Sequence, residues 1–136
     1  MAQVEIRGPS VGDVQRVAEL RVAVRAFERG TERAARSAGL TPQWYLLLLL
    51  VKGSEGGDGR ATVGELARRM HLAQSTVTEL VNRVERADLV RRTTSATDAR
   101  VAHIALTPKG EKRFAATFSA LAEERQALRE AIERLD

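Results

Sequence analysis

The most informative polar side chains of the sequence lie on one face of an amphipathic segment that spans about residues 74–86. Its apolar face repeats at helical spacing and consists of Val77, Leu80, Val81 and Val84. The opposite face carries Gln74, Ser75, Thr78, Glu79, Asn82 and Arg83, and Thr76 lies with Gln74 and Ser75 at the N-terminal end. Amides, hydroxyls and guanidinium groups hydrogen-bond to base edges in the major groove, Asn typically with adenine and Arg with guanine. The segment therefore predicts a helix that reads DNA, and the alternative is a helix start with solvated neighbours.

Basic side chains follow in a predicted β-hairpin. The two β-like stretches cover residues 89–93 and 101–106, with a polar turn between them. The hairpin carries Arg91, Arg92 and Arg100. An arginine on such a hairpin can enter the minor groove, where the potential is most negative. Asp98 is placed to hold the Arg100 guanidinium through a paired hydrogen bond, and the alternative is an ordinary surface ion pair.

The positive charge of the chain is concentrated in the same region. The 136 residues carry a net charge of +4, with 43% hydrophobic and 29% charged residues, as in a globular protein. Residues 60–113 contain 11 Lys and Arg against 6 Asp and Glu, so this segment holds the whole excess. A local positive excess attracts a polyanion.

Several functions are excluded or disfavoured by residue types that the sequence lacks. There is no Cys, which excludes disulfides and thiolate chemistry, and the two His are not at ligand spacing. No His pairs with a Ser at a recognisable spacing, and the glycine-rich stretch at 53–59 lacks the Lys of a phosphate loop. We therefore expect no metal, no cofactor and no enzyme. The longest apolar run has eight residues, too few to cross a bilayer, so we expect a cytoplasmic protein without a membrane partner.

The elements that position these side chains begin at recognisable helix caps. Ser10, Thr41, Thr62 and Thr107 each precede a helical pattern, and Pro follows two of them. A short helix, a turn at His71-Leu72, the polar helix and the hairpin form a winged helix-turn-helix. The C-terminal apolar positions are Phe114, Phe118, Leu121, Leu128, Ile132 and Leu135. They fit one helix or two, since Ser119 is a candidate cap for a second.

This order of motifs resembles the multiple-antibiotic-resistance regulator (MarR) family. The resemblance covers roughly residues 14–113. It rests on Val63-Gly64-Glu65-Leu66-Ala67-Arg68-Arg69-Met70, Gln74-Ser75-Thr76-Val77-Thr78, Leu89-Val90-Arg91-Arg92, Asp98-Ala99-Arg100 and Leu106-Thr107-Pro108-Lys109-Gly110. The most specific part is the Asp-x-Arg followed by Leu-Thr-x-x-Gly.

The resemblance implies a homodimer in which N- and C-terminal helices interleave and two winged domains read a palindrome. It implies major-groove contacts by Gln74, Ser75, Thr76 and Thr78, and a minor-groove contact by Arg100 held by Asp98. It also implies release from DNA by a small aromatic or phenolic ligand, in a pocket that draws on Trp44 and Tyr45. Those two residues have core packing as their alternative.

Two departures from the family pattern bear on these expectations. Asp88 stands where the family usually has Gly at the end of the reading helix, and we expect Asp to adopt the left-handed conformation there. The C-terminal arm is shorter than in the family, which affects the geometry of the dimer and of any pocket.

The sequence thus predicts a mainly α fold with a small β-hairpin wing, as a single MarR-like domain over residues 1–136. Residues 10–40 and 108–136 are the predicted dimerisation helices, and 41–107 the DNA-binding winged helix. The predicted function is a sequence-specific, homodimeric transcriptional repressor of a palindromic operator in double-stranded DNA. The alternative is a winged helix that binds a protein instead of DNA.

Overall fold

The computed structural model describes residues 8–94 and 100–135. Six helices and three short strands follow one another in these ranges. They are α1 (Val11–Ser37), α2 (Pro42–Lys52), β1 (Arg60–Ala61), α3 (Val63–Met70), α4 (Gln74–Arg86), β2 (Val90–Thr94), β3 (Ala102–Leu106), α5 (Pro108–Ala120) and α6 (Ala122–Glu133). The mainly α fold with a small β wing is confirmed. None of the helices described is both long and apolar enough to span a membrane.

Four helices begin at the capping residues that the sequence predicted. Side-chain oxygens of Ser10, Thr41, Thr62 and Thr107 accept hydrogen bonds from the backbone N–H three residues later, at 3.0–3.1 Å. Each bond satisfies one of the N–H groups that a helix start leaves without a partner. At the other end of α1, Gly39 adopts φ 78°, and the next N–H bonds back to Ala35 O at 2.8 Å. This closing turn ends the helix where a left-handed residue is needed.

The wing is a three-stranded antiparallel sheet with the order β1-β3-β2. In the predicted hairpin, Val90 pairs with Leu106 and Thr94 with Ala102. The third strand was not predicted: Arg60 and Ala61 pair with Ala105 and Ile104 along the other edge of β3. Because β1 directly precedes α3 and pairs with β3, the sheet connects the start of the helix-turn-helix to the wing.

The hydrophobic core lies between α2, α3, α4 and the sheet. Its fully buried members include Leu47, Leu48, Val51, Leu66, Val77, Val81, Val84, Leu89 and Ile104. All four residues of the predicted apolar face of α4 are buried. The predicted buried helix α2 is buried on most sides, although Leu46 keeps 40% of its surface exposed.

The C-terminal segment forms two helices that meet at Leu121. Ser119 is exposed and does not cap the second helix; Leu121 does so by its backbone conformation, with no side-chain cap. Arg125 stabilises the break, because its guanidinium lies 3.9 Å above the Phe118 ring and donates to Phe118 O at 2.5 Å. Leu121 itself is buried, which anchors the junction in the core.

Candidate nucleic-acid interface

The helix-turn-helix is formed by α3 and α4, with a sharp turn at His71. His71 adopts the left-handed conformation with φ 57°, and its N–H and that of Leu72 bond back into the last turn of α3. Leu66 and Ala67 on α3 and Val77 on α4 are buried in the shared core. The apolar residues therefore fix the angle between the two helices, and the polar face of α4 is turned away from the core.

The structure places the predicted reading residues on the outer face of α4. Gln74, Ser75, Thr76 and Arg83 are exposed, and Thr78 and Asn82 are half-buried. The residue before α4 is Ala73, which offers no side chain to cap the first turn. The first N–H groups of α4 thus donate no hydrogen bond to a capping side chain, and such an N-terminus favours an anion such as a phosphate.

The wing arginines lie beside this face. Arg91 and Arg92 are exposed on β2, and Arg100 is exposed just before β3. The predicted partner of Arg100, Asp98, lies outside the described residues. The packing of β2 against α4 brings Arg92 of the sheet next to the polar side chains of α4.

Arg92 connects the wing to α4 through contacts that the sequence did not predict. Its guanidinium Nη2 donates a hydrogen bond to Asn82 Oδ1, and its Nε lies 3.9 Å from Glu85 Oε1. Two residues predicted as separate DNA contacts are thus bonded to each other. The ten-residue separation between them carries no local signal, since the contact depends on how β2 packs on α4.

The end of α4 is held by a second group of contacts. Asp88 has φ 62°, so the prediction that Asp takes over the left-handed position of the usual Gly is confirmed. The Asp88 carbonyl accepts from Thr107 Oγ1 at 2.6 Å, and the Ala87 carbonyl accepts from Lys109 Nζ at 3.1 Å. The start of α5 therefore caps the end of α4.

Gly110 explains why glycine follows Thr-Pro-Lys in the most specific motif. A Cβ at Gly110 would lie 2.0 Å from the Leu89 carbonyl oxygen, closer than any real contact. The first turn of α5 passes directly over the backbone of the α4–β2 turn, and only glycine leaves room for it.

The predicted ligand residues Trp44 and Tyr45 lie on α2 and pack against the core. Tyr45 is buried and stacks on Phe114 of α5, with ring centroids 5.9 Å apart. Burial raises the pKa of the Tyr45 hydroxyl, with a smaller opposing effect of Arg125. Trp44 is half-buried against the same core. Their role in a ligand pocket stays a prediction.

Comparison with known proteins agrees with this geometry. A model described as "MarR family" matches residues 38–101, from the end of α1 to the wing. Over these residues the chain is similar to the MarR family. Within residues 8–94 and 100–135, no cluster of His, Asp and Glu is arranged to hold a metal ion.

Two curated HTH-type relatives come from Bacillus subtilis. The uncharacterised HTH-type transcriptional regulator YsmB is 39% identical over 85 residues, which cover 62% of this chain and 55% of YsmB. The HTH-type transcriptional repressor MdtR is 34% identical over 76 residues, which cover 56% of this chain and 46% of MdtR. The chain thus spans about half the length of these relatives. Both are regulators of transcription by name, and neither name describes an enzyme.

A solved structure extends the similarity beyond the winged domain. The Mycobacterium tuberculosis transcriptional regulator MOSR, in complex with DNA, is 28% identical, with a TM-score of 0.58. The match covers 77% of this chain and 73% of MOSR. The similarity in fold therefore includes elements outside the 64 residues of the family match.

Proposed function

We propose that this protein is a sequence-specific transcriptional regulator that represses by occupying a palindromic operator as a homodimer. The observation that carries the proposal is the shared outward face of α4 and the wing. In this proposal, Gln74, Ser75 and Thr76 at the exposed start of α4 contact base edges, with Thr78, Asn82 and Arg83 further along the helix. Names of the relatives support the proposal, since MdtR is called a repressor and MOSR was solved with DNA.

The wing supplies the second contact of the proposal. Arg100 enters the minor groove beside the half-site, oriented by Asp98, while Arg91 and Arg92 lie near the phosphates. These exposed arginines belong to the segment 60–113, which holds the positive charge excess of the chain. Affinity should therefore fall steeply with salt as counterions are released.

The dimer of the proposal is formed by the terminal helices. Val11, Val14, Val17 and Val22 on α1 are 51–75% exposed, and Ile132 and Leu135 near the C-terminus are 52% and 36% exposed. Contiguous exposed apolar residues at the ends of a chain mark an interaction surface. We expect a two-fold dimer through this surface to hold the two α4 helices one helical turn of DNA apart, about 34–36 Å.

Release by a small aromatic or phenolic ligand completes the proposal. The ligand site draws on Trp44 and Tyr45, which lie where α2 meets α5. A ligand wedged against the Tyr45–Phe114 stack tilts α5, and α4 with it, relative to the partner subunit. The position of α4 then no longer matches its half-site.

Selection of duplexes from a random genomic library, at several salt concentrations, tests the DNA-binding part. We expect enrichment of a palindrome and a linear fall of log affinity with log salt. Arg100→Ala should weaken binding to the selected duplex by about 1–3 kcal/mol. Arg129→Ala on α6 removes the same charge away from the wing and is the matched control. Equal affinities for Arg100→Ala and the unmodified protein would remove Arg100 from the interface.

The same selection experiment distinguishes DNA binding from the second candidate function, which is protein binding. Failure to enrich any sequence over competitor at low salt would favour a winged helix that binds a protein through its wing. Pull-down with the wing arginines intact or replaced would then be the next step.

A further inference from the structure

We propose that Arg92 determines base specificity without contacting a base, by fixing which side of the Asn82 amide faces the DNA. The inference rests on the proposed function, because it concerns how the same α4 face reads DNA. It assigns to Asn82 a base preference opposite to the one expected from its residue type alone.

The argument begins with the chemistry of the two groups. A guanidinium has only donors, so it bonds to the Asn82 amide only through the carbonyl oxygen. The contact from Arg92 Nη2 therefore orients Oδ1 toward the wing. Because the amide is planar, its NH₂ group is turned away from Arg92.

The surroundings keep this orientation in place. Glu85 lies one helical turn after Asn82 on α4, and its carboxylate is 3.9 Å from Arg92 Nε. The Arg92 and Glu85 side chains are only 38% and 40% exposed, so both are partly covered by α4 and the wing. Arg92 therefore lies between two oxygen partners, Asn82 Oδ1 and Glu85 Oε1, and both hold its side chain over α4.

The direction of the NH₂ group decides what Asn82 can read. An Asn that pairs with adenine must accept from N6 and donate to N7 at the same time. With Oδ1 turned toward Arg92, the NH₂ group of Asn82 is the part of the amide left to face the bases. Its donors match N7 and O6 of guanine and O4 of thymine, whereas in adenine the N6 donor beside the N7 acceptor opposes a second donor. Asn82 should therefore select guanine or thymine and discriminate against adenine.

The test compares base preferences selected by four proteins from the same random duplex library. Asn82→Ala identifies the position that Asn82 reads, because preference there is lost. The unmodified protein should show guanine or thymine at that position. Arg92→Met frees Oδ1 and should raise the frequency of adenine there about tenfold relative to guanine and thymine.

Arg91→Met is the matched control, because it removes the same charge from the neighbouring position of β2. Both methionine variants should weaken binding uniformly and reduce the salt slope by about one. Only Arg92→Met should change the base preference. A change in fold or in charge alone does not move the preference at a single position.

The outcomes separate this inference from the function on which it rests. If the unmodified protein enriches a palindrome and Arg92→Met gives the same preferences, the orienting role of Arg92 is wrong and the DNA-binding function stands. Preference for adenine in the unmodified protein at the Asn82 position would also overturn it. If no protein enriches any sequence, the proposed function fails and the inference fails with it.

Discussion

Two helices of the molecule, α4 and α1, carry valines at helical spacing, but the valines are buried on α4 and exposed on α1. On α4, Val77 and Val81 are fully buried against α3 and the sheet. On α1, Val14 and Val17 leave about half of their surface exposed. The same residue type at helical spacings of four and three residues completes a core in one region and forms an exposed apolar surface in the other.

The core of the winged half is closed by its own chain, whereas the terminal half keeps apolar surface exposed. α4 ends in caps made by its own chain, through Thr107 and Lys109. α1 packs along α5 and α6, but these cover only one side of it. Burial of the remaining valines would contribute about 25 cal/mol per Å² of apolar surface. The homodimer proposed above would bury them against a second molecule.

The terminal half is tested most directly by charging its exposed valines. Val14→Asp together with Val17→Asp places unpaired carboxylates in the proposed interface, where desolvation is costly. We expect self-association to weaken at least about a thousandfold, or about 4 kcal/mol, by sedimentation equilibrium. Gln15→Asp adds a charge in the same turn on another face and should leave association unchanged. Equal dissociation constants for the double-Asp variant and the Gln15→Asp variant would show that Val14 and Val17 lie outside the dimer interface.

The winged half is tested by adding a side chain where α5 crosses the turn between α4 and β2. Gly110→Ala puts a methyl group 2.0 Å from the Leu89 carbonyl oxygen, so the backbone must move. We expect a loss of about 3 kcal/mol or more in the free energy of unfolding, measured by urea titration. The matched control is Gly64→Ala on α3, where a Cβ meets nothing closer than 3.8 Å. That change should be neutral or stabilising by up to about 1 kcal/mol. Similar stabilities for the two variants would contradict this account of the motif.

The cap between α4 and α5 should have a smaller effect. Thr107→Ala removes the acceptor for Gly110 N–H and the donor to the Asp88 carbonyl, both at a buried site. We expect a loss of about 1–3 kcal/mol in the free energy of unfolding. Thr107→Ser keeps the hydroxyl and should lose less than half as much. A serine variant as unstable as the alanine variant would show that packing of the methyl group matters more.

The left-handed residue at the end of α4 should give the smallest change. Asp88→Gly relieves the positive φ but gains entropy in the unfolded chain, so the two effects oppose each other. The free energy of unfolding should change by less than about 1 kcal/mol, by thermal denaturation. Asp88→Val should lose about 1–2 kcal/mol, because a β-branched residue is strained at φ 62°. A valine variant as stable as the glycine variant would show that the turn relaxes.

The sequence predicts the helix starts and the core of α4 because both are local. A cap needs only a hydroxyl three residues before an N–H, as Thr62 shows with Glu65 at 3.1 Å. The apolar face of α4 needs only the period of its valines and leucine. The left-handed turn at Asp88 was also predictable, since the motif order marks where a Gly is expected.

Other features depend on partners far along the chain. β1 has two residues and forms only because Ala61 meets Ile104 on β3. The break at Leu121 has no cap residue and depends on Arg125 reaching back to Phe118. The contact between Arg92 and Asn82 likewise arises from the packing of the wing on α4. In the candidate site, residue types were predictable, but the bond between two of them was not.

The close approach at Gly110 has a mechanical consequence. A backbone carbonyl occupies the position of a side chain, so the first turn of α5 cannot slide along the end of α4. Two hydrogen bonds from Thr107 and Lys109 close the same junction. The two helices must therefore move as one rigid body. In the proposed dimer, a few degrees of tilt at the far end of α5 would alter the separation of the two α4 helices, and hence which operator spacing the protein accepts.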